Sequence, residues 1–389
     1  MTYTLPTEKI IRLAEGEAAT PFFVYDLKLL KNTLDAATLA AQKHGYHVHY
    51  ALKANGNPEI LSLISSTIHG ADCVSGNEVL AALRHGFEPD KIAFAGVGKT
   101  DREIDIALDN NIFSLNIESI QELEVINRRA GLAGKTAPVA LRLNPGVNAQ
   151  THHYITTGLE ENKFGINPWE LDQVLDALRK LKHIELTGIH FHIGSQITSR
   201  DPFRSLALRA NEMNHWFRKK GIYLQHINLG GGLGVDYHQP DQHPVPDFEQ
   251  FFSLFADVLE LLPGQTVHFE LGRALVAQCG TLISRVLYFK PGINTNFVII
   301  DAGMTELIRP ALYQAYHKIE NISHPEGLPV VCDVVGPICE SSDCFAKSLL
   351  LPSPQRGHLM AIRTVGAYGE VMSSQYNMRD KAKAYYLAD

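Results

Sequence analysis

The sequence predicts an α/β fold in two parts: a (β/α)8 barrel of the TIM type, followed by a second, mainly β, C-terminal domain. Short apolar runs and longer amphipathic runs alternate about eight times over roughly 230 residues, which matches the size of such a barrel. Near residue 273 this alternation stops, and β-rich runs separated by Gly and Pro replace the helical patterns. A chain of 389 residues is also long enough for two domains.

The individual elements follow from hydrophobic periodicity. Barrel strands are predicted at 47–53, 71–75, 92–98, 114–117, 137–144, 185–193, 225–229 and 266–270. Helices are predicted between them at 78–85, 102–110, 120–129, 169–181, 202–219 and 248–261. Strands of the second domain are predicted at 281–289, 297–300, 329–335, 358–364 and 382–387.

An apolar run at 20–25 precedes the barrel strands, and we expect it to pair with the C-terminal sheet. The predicted domains are therefore 1–25, an N-terminal strand that joins the β domain; 26–272, the barrel; and 273–389, the β domain.

Composition excludes several classes of protein. The net charge of −7 and the absence of a basic run argue against a nucleic-acid partner. The amino terminus mixes acidic with apolar residues, which predicts neither a signal peptide nor a membrane span, and hence a cytoplasmic protein. Five cysteines form no CxxC pair and no Cys/His cluster with metal-ligand spacing, so we expect reduced thiols and no metal.

Lys53 stands at the end of the first barrel run, just before Asn-Gly-Asn-Pro. Desolvation at a strand end favours the neutral amine, which makes Lys53 a candidate Schiff-base lysine. A lysine in such a place is more often a solvated charge. Other segments must therefore decide between these two interpretations.

Glycine-rich turns follow the last two barrel runs, where phosphate usually binds in this fold. Gly230 to Gly234 and the sequence Glu270-Leu271-Gly272-Arg273 occupy these positions. The sixth run ends in His190-Phe191-His192 with Ser195 close behind. Together with Lys53 these residues offer an amine for an aldehyde, a ring for stacking, phosphate donors and a carboxylate, a set that suits pyridoxal 5'-phosphate.

Several of these segments resemble motifs of the fold-type III pyridoxal-phosphate decarboxylases, in the same order along nearly the whole chain. They are 50–55, 71–76, 190–196, 230–234 and 270–273. Within that group, segments 309–313, 339–343 and 366–369 resemble those of diaminopimelate decarboxylase. Two positions depart from the family pattern: Leu271 replaces a usual proline, and Asn77 replaces a glycine.

The resemblance implies roles in cofactor binding. Lys53 would hold the cofactor covalently, His192 would stack on its ring, and Glu270 would pair with the pyridine nitrogen. A carboxylate there keeps the nitrogen protonated, so that the ring accepts the electrons released when CO2 leaves. The residues implied around the phosphate are Ser195, Gly232, Gly272, Arg273 and Tyr368.

The resemblance also implies roles in substrate binding. Arg309 and Tyr313 would bind a distal carboxylate, since an arginine fork suits that group. Glu340 would bind the distal ammonium, and Arg273 and Tyr368 would also contact substrate. Cys339 would donate the proton that follows decarboxylation. Because the partner subunit supplies Cys339 and Glu340 in that family, a homodimer with shared active sites is expected.

We therefore expect decarboxylation of meso-2,6-diaminopimelate to L-lysine and CO2, the last step of lysine biosynthesis. A sister decarboxylase acting on ornithine, arginine or carboxynorspermidine stays open; the first two lack the distal carboxylate that Arg309 and Tyr313 suit. An alanine-racemase-like enzyme would place an arginine where Glu270 stands. A non-catalytic cofactor carrier is expected to lack Lys53 or Cys339, and both are present.

Overall fold

The computed structural model describes residues 2–147 and 163–388. The chain forms two compact units. The barrel unit comprises Leu34–Gly234 and Asp247–Gly272, and the β unit comprises Met1–Thr33, Val235–Pro246 and Arg273–Asp389. In the described ranges no helix is both long enough and apolar enough to span a membrane.

The described residues contain sixteen strands. In chain order they are β1 Phe22–Asp26, β2 Tyr46–Ala51, β3 Gly70–Cys73, β4 Ile92–Phe94, β5 Ser114–Ile117, β6 Ala137–Arg142, β7 Ile184–His190, β8 His226–Asn228, β9 Thr266–Leu271, β10 Gly280–Lys290, β11 Phe297–Ile300, β12 Ile319–Asn321, β13 Pro329–Val335, β14 Cys344–Pro352, β15 Leu359–Arg363 and β16 Lys383–Leu387.

Eleven α-helices lie between and beside these strands in the same part of the chain. They are α1 Thr7–Glu15, α2 Leu27–Gln42, α3 Pro58–Ser65, α4 Gly76–Arg84, α5 Asp101–Asp109, α6 Ile120–Leu132, α7 Leu171–Leu178, α8 Asp201–Lys219, α9 Phe248–Val258, α10 Arg273–Val276 and α11 Arg309–Tyr313.

Short polar side chains set where several barrel helices begin. Each accepts a hydrogen bond from a backbone N–H of the first turn, a group that has no partner within the helix. At α5 the Thr100 side chain and Glu103 cap each other's backbone N–H groups reciprocally. The other capping residues are Asn57, Ser75, Ser119 and Asp247.

In the barrel unit, β2 to β9 pair in parallel in chain order, and β9 returns to pair with β2. Register places His49 opposite Glu270 across this last pairing. The closed eight-stranded barrel, together with the β-rich second unit, confirms the predicted fold class. The carboxyl ends of all eight strands therefore open at one rim, which is where side chains from distant segments meet.

In the β unit, one sheet carries the strand order β12-β15-β10-β11-β13-β14. β1 lies antiparallel to β10 and parallel to β16. The sequence analysis did not predict β14, although it pairs with β13 along most of its length. Lys347 and Ser348 break its apolar alternation, and Ser348 has a positive φ of 50° where the pairing register shifts.

Histidines fill the interior of the barrel near the amino-terminal ends of the strands, where bulky aliphatic residues are usual. His49, His226 and His268 are each no more than 3% exposed. Two strand glycines leave room for these rings. A Cβ on Gly70 would lie 2.7 Å from Nδ1 of His49, and one on Gly188 would lie 2.3 Å from Nε2 of His226.

This histidine layer makes stability depend on acidity. Burial lowers the pKa of His226 to about 4 and that of His49 to about 3. Between these values and about 6.5 the unfolded chain binds more protons than the folded protein, so the free energy of unfolding rises with pH. The stability is fully present at pH 7 and is lost as the pH falls through 6.5 toward 4.

His226→Gln removes one of these groups and should reduce this pH dependence. Between pH 7 and pH 5 the variant should lose roughly 2 kcal/mol less of its free energy of unfolding than the parent protein. Urea denaturation at the two pH values measures this difference. His215→Gln is the control, since that side chain is 44% exposed on the surface of α8. An equal loss in the parent and in His226→Gln would contradict the argument.

Candidate active site

Lys53 lies just beyond β2, in a single turn of 3-10 helix at Leu52–Ala54. The predicted strand 47–53 therefore ends two residues early, because the chain turns at Leu52. The Lys53 Nζ donates a hydrogen bond of 3.0 Å to Oδ2 of Asp72, and the Lys53 side chain is 32% exposed. The amine thus points toward the next strand and remains accessible.

Asp72 is the buried partner of this lysine, on β3. Burial raises the pKa of Asp72, the negative charge of Glu270 raises it further, and Lys53 opposes both effects. Oδ1 of Asp72 is buried, and no described residue hydrogen-bonds to it. Asp72 is therefore placed to hold the amine and to respond to any change in its charge.

Glu270 is a buried carboxylate on β9 with three side-chain donors. His190 Nε2 donates to Oε2 at 2.9 Å, and Asn228 Nδ2 donates to Oε1 at 2.7 Å. Asn116 Nδ2 adds a longer contact of 3.4 Å. Burial alone would raise the pKa of Glu270, but His190 and Lys53 outweigh it and hold the pKa well below its usual range. Glu270 is therefore an anion with a fixed orientation.

His192 follows β7 and is half-buried beside these groups. Burial, with Lys53 and Arg142 nearby, lowers the pKa of His192 well below its usual value, so its ring is neutral. Lys53, His192 and Glu270 line one cavity of about 480 Å³ together with Arg142 and Lys99. Such a volume suits a small organic ligand.

Glycines bring the loops after β7, β8 and β9 into close contact. Gly230 and Gly232 have positive φ values of 65° and 110°. A Cβ on Gly231 would lie 2.0 Å from the carbonyl oxygen of Glu270. Ser195 lies in the facing loop, where Ile197 N donates to Gly232 O at 2.9 Å. Side chains larger than hydrogen would therefore open this packing.

Gly272 has a related role at the end of β9. A Cβ there would lie 3.0 Å from Cβ of Ala54 and 3.2 Å from Cβ of Ala51. The absence of a side chain lets the backbone after Leu271 pass close to the turn that carries Lys53. Leu271, which departs from the family pattern, is itself 1% exposed and packs as a core residue.

In the β unit, two arginines share the hydroxyl of one buried tyrosine. Arg273 Nη1 and Arg309 Nη1 donate to Tyr237 Oη at 2.6 and 3.0 Å. Burial would raise the pKa of Tyr237, but the two guanidinium groups outweigh it and lower the pKa. The ring of Tyr368 lies 4.8 Å from Cζ of Arg273, a cation–π distance.

His317 supports Arg309 on its other side. Arg309 Nη1 donates to Nε2 of His317 at 2.9 Å, and Nδ1 of His317 donates to the carbonyl oxygen of Arg363. Burial and the charge of Arg309 lower the pKa of His317 to about 3, so this histidine is neutral. Tyr313 ends the short helix that begins with Arg309 and is partly exposed.

Cys339 and Glu340 lie on an exposed loop of the β unit. Buried Asp343 fixes this loop by accepting hydrogen bonds from the backbone N–H groups of Ile338 and Met304, at 2.7 and 2.6 Å. Glu340 Oε1 accepts from the hydroxyl of Tyr376 at 2.9 Å. The loop therefore presents a thiol and a carboxylate to the outside.

Several known proteins are similar to this chain. Residues 30–277 match the family model described as the pyridoxal-binding domain of pyridoxal-dependent decarboxylases. A diaminopimelate decarboxylase of Bacteroides thetaiotaomicron is 54% identical over 367 residues, 94% of this chain and 95% of that protein. The chain belongs to the diaminopimelate decarboxylase family. This confirms the resemblance recognised in the sequence.

Solved structures of the family agree with this assignment. A diaminopimelate decarboxylase from Helicobacter pylori complexed with L-lysine has a TM-score of 0.91 and 40% identity, covering 98% of this chain and 94% of that one. A second, from M. jannaschii and also in complex with L-lysine, has a TM-score of 0.90 and 34% identity, covering 98% and 89%.

The predicted residues fall into three groups. Lys53, His192 and Glu270 share the barrel cavity, with Ser195, Gly232 and Gly272 on the surrounding loops of the barrel unit. Arg273, Arg309, Tyr313 and Tyr368 belong to the β unit, and Cys339 and Glu340 lie on its exposed loop.

Sequence reasoning missed the partners that orient these residues. Asp72 and His190 stood within recognised motifs and Asn228 within a predicted strand, but none of them received a role. Tyr237 and His317 had no signal of their own, because nothing in the local pattern marks a residue that contacts arginines far along the chain. Their importance appears only in the hydrogen bonds.

Proposed function

We propose that the protein decarboxylates meso-2,6-diaminopimelate to L-lysine and CO2 with pyridoxal 5'-phosphate as cofactor, in the last step of lysine biosynthesis. The observation that carries the choice of substrate is Arg309. This guanidinium is 6% exposed, and its Nη1 donates to Tyr237 and to neutral His317. In residues 2–147 and 163–388 no carboxylate lies within salt-bridge distance of it.

A buried guanidinium with neutral partners is costly unless an anion joins it. Burial and the nearby Arg273 both lower the pKa of Arg309, which reflects that cost. The distal carboxylate of diaminopimelate would supply the anion. Ornithine and arginine lack such a group, so this environment disfavours them.

The residues of the barrel unit fit the cofactor. The cavity of about 480 Å³ contains an amine at Lys53, a neutral ring at His192 and an anion at Glu270. The loops with Gly230 and Gly232 expose backbone where a phosphate needs N–H donors. We propose that Lys53 attaches the cofactor covalently, His192 stacks on its ring and Glu270 faces its pyridine nitrogen.

The phosphate would be held by a further set of residues: Ser195, Gly232, Gly272, Arg273 and Tyr368. When bound, pyridoxal phosphate supplies an electron sink that accepts the electron pair released as CO2 leaves. His190 and Asn228 keep Glu270 ionised and oriented, which keeps the facing nitrogen protonated. Asp72 positions the Lys53 amine and can take up or return a proton as the charge of that amine changes.

On the substrate side, Arg309 and Tyr313 would hold the distal carboxylate, and Glu340 would hold the distal ammonium. Arg273 and Tyr368 would contribute further substrate contacts. The Sγ of Cys339 would deliver the proton that takes the place of the departing carboxylate, so that one C–C bond is replaced by one C–H bond.

The test is CO2 release from cofactor-loaded protein offered meso-diaminopimelate, L-ornithine, L-arginine and carboxynorspermidine in parallel. We expect release from diaminopimelate alone, with L-lysine as the product. Release from another substrate would overturn the assignment of Arg309 while leaving the cofactor chemistry intact. Absence of release from all four would overturn the proposal as a whole.

Arg309→Gln should impair diaminopimelate turnover through recognition. We expect kcat/KM to fall by about 10²–10³-fold, because removing one member of a buried charge pair costs about 2–5 kcal/mol. Steady-state kinetics measure this loss. Tyr237→Phe is the matched control: it keeps both guanidinium groups and removes only the shared hydroxyl, so it should lose less. Unchanged kcat/KM in Arg309→Gln would remove Arg309 from substrate binding.

We also propose that the protein acts as a homodimer with shared active sites. Cys339 and Glu340 are exposed, although proton delivery and recognition of an ammonium group both work best away from bulk water. A partner subunit would cover this loop and direct it into a second active site. Cys339→Ala alone should bind cofactor normally and turn over slowly.

Mixing inactive variants tests the sharing of sites. In a dimer of Lys53→Ala with Cys339→Ala subunits, one site carries both changes and the other carries neither. Purified mixed dimers should therefore have roughly half of the parental activity, since one of their two sites is intact. Co-expression with two different purification tags, followed by assay of the mixed dimers, measures this. If each subunit builds its own site, the mixed dimers should show no restored activity. Dimers of two Lys53→Ala subunits are the control and should show none in either case.

We propose a cytoplasmic location. All five cysteines are free thiols, and three of them, Cys73, Cys279 and Cys332, are buried. Unpaired thiols in a chain of this size are typical of a reducing compartment.

A further inference from the structure

Three histidines from neighbouring segments meet near the amino-terminal ends of the barrel strands, apart from the candidate active site. His49 lies on β2, His268 lies on β9, and His69 immediately precedes β3. One ring nitrogen of each lies within 4.8 Å of the others. Because β9, β2 and β3 are adjacent in the barrel, the backbone holds the three positions together.

Hydrogen bonds assign the tautomers of the two buried rings. Nδ1 of His49 lies 3.1 Å from the carbonyl oxygen of Lys91, which can only accept, so His49 donates from Nδ1. Its Nε2 therefore accepts from Nδ1 of His268 at 2.8 Å. Nε2 of His268 in turn accepts from the hydroxyl of Thr266 at 2.8 Å. Each ring thus carries one proton and one lone pair.

His69 and His47 offer further nitrogens beside this pair. The ring centroid of His47 lies 4.2 Å from that of His69 and 4.9 Å from that of His268. In the ranges that the structure describes, no hydrogen bond engages the ring of His69 or His47. Both rings are partly exposed, so they can turn toward a ligand at little cost.

We propose that His49, His69 and His268 bind a divalent transition-metal ion of the zinc type, with His47 or a water completing four-coordination. Neutral imidazole is a preferred ligand of such ions, and three imidazoles with one further position form a known kind of zinc site. In a tetrahedral site with Zn–N distances of about 2.0–2.1 Å, the ligand atoms stand roughly 3.3 Å apart. Nε2 of His49 and Nδ1 of His268, which lie 2.8 Å apart, would separate slightly and His69 would turn inward to reach that spacing.

The protonation states favour this assignment. Burial lowers the pKa of His49 and His268, and it lowers that of His69 to about 4. All three rings are therefore neutral at pH 7 and need not lose a charge-carrying proton before binding. Metal binding would break the hydrogen bond between His49 and His268. The free energy of metal binding must therefore exceed that of one hydrogen bond.

An entry path exists at the amino-terminal end of the strands. A cavity of about 500 Å³ is lined by His47, His69 and Lys91, among others. The positive charge of Lys91 is partly offset by Glu88, whose carboxylate lies 2.6 Å from it. A hydrated ion can therefore reach the histidines without passing through the active-site cavity. This face of a barrel usually serves stability, and a bound ion would join β9 and β2 to the segment just before β3.

The test uses full-length, cofactor-loaded protein without a histidine tag, stripped with a chelator and then titrated with zinc chloride. Equilibrium dialysis and calorimetry should give one ion bound per chain. Cobalt(II) in place of zinc should give the visible absorption of a tetrahedral nitrogen site. Bound zinc should also raise the unfolding temperature by on the order of a few degrees.

Variants locate the ion. His69→Ala should weaken zinc binding by at least about tenfold, since even residues that only orient a ligand contribute about 10–100-fold. Because His69 lies outside the strands and is partly exposed, the His69→Ala variant should fold. His47→Ala distinguishes the fourth position: a loss assigns it to His47 and no change assigns it to water. His215→Ala, on the surface of α8, should bind zinc like the parent.

Three results would overturn the proposal: no stoichiometric zinc binding by the parent, equal binding by the parent and His69→Ala, or an octahedral cobalt spectrum. None of them would affect the proposed decarboxylation, which does not use these histidines. A fourth result, loss of zinc binding in His215→Ala, would also overturn the proposal, because it would place the ion on the surface.

Discussion

Lys53→Ala protein should lack the visible absorbance of covalently attached cofactor, and its turnover of diaminopimelate should fall by roughly 10³-fold or more, at least the loss typical of removing a positioned acid–base group. Lys53 lines the barrel cavity beside His192 and Glu270, and its Nζ lies 3.0 Å from Oδ2 of Asp72. Without it the cofactor has no covalent attachment there, and the visible absorbance of the attached form is lost. Absorbance spectra and single-turnover assays measure both effects.

Lys53→Arg separates charge from nucleophilicity. Arginine retains the positive charge beside Asp72 and its fork can bond that carboxylate, but a guanidinium forms no stable Schiff base. The variant should therefore fold as well as the parent and, like Lys53→Ala, lack the absorbance of covalently attached cofactor. A Lys53→Ala protein with full colour and full turnover would refute the central role of this lysine.

Glu270→Gln should lower kcat by about 10²–10³-fold, the range seen when one preorganised charge-stabilising group is removed. The substitution keeps the size of the side chain but removes its charge, so the facing pyridine nitrogen would no longer be held protonated. Because that charge matters most as electrons move into the ring, KM should change little. Lys53 remains, so the variant should keep its visible absorbance.

Asn116→Ala is the matched control for this prediction. It removes the longest of the three contacts to Glu270, at 3.4 Å, and leaves His190 and Asn228 in place. The expected loss in kcat is less than about tenfold, since a contact of 3.4 Å is weaker than a well-formed hydrogen bond to a charged group, which is worth about 1.5–3 kcal/mol. Equal losses in Glu270→Gln and Asn116→Ala would indicate a general disturbance of the barrel interior instead of a lost charge.

Much of the fold could be predicted because its signals are local. Periodicity two or 3.6 shows in short windows, and eight strand runs alternating with helical runs have few alternatives. Strand ends were less accurate: Lys53 was expected on a strand but lies in a turn that begins at Leu52. β14 escaped prediction because Lys347 and Ser348 interrupt its pattern.

Part of the candidate site could also be predicted from the sequence, for a different reason. Lys53, His192, Glu270 and the glycines lie in motifs at strand ends, and a barrel brings all strand ends to one rim. The residues that support them gave no such signal. Tyr237 lies in the segment Val235–Pro246, which groups with the β unit although it falls between two barrel strands in the sequence.

The sequence by itself determined the barrel, the β-rich second unit, the family and the functional groups of the cofactor site. Each of these follows from local hydrophobic periodicity or from short motifs. Only the tertiary structure decided which side chains form hydrogen bonds with one another. The two rings of the His49–His268 pair are 219 residues apart in sequence, and Tyr237 lies 72 residues from Arg309. The prediction of no metal rested on spacing within segments, whereas the proposed zinc ligands come from two strands and from the residue before a third. Barrel closure and sheet pairing bring such residues together, and no spacing along the chain records the resulting distances.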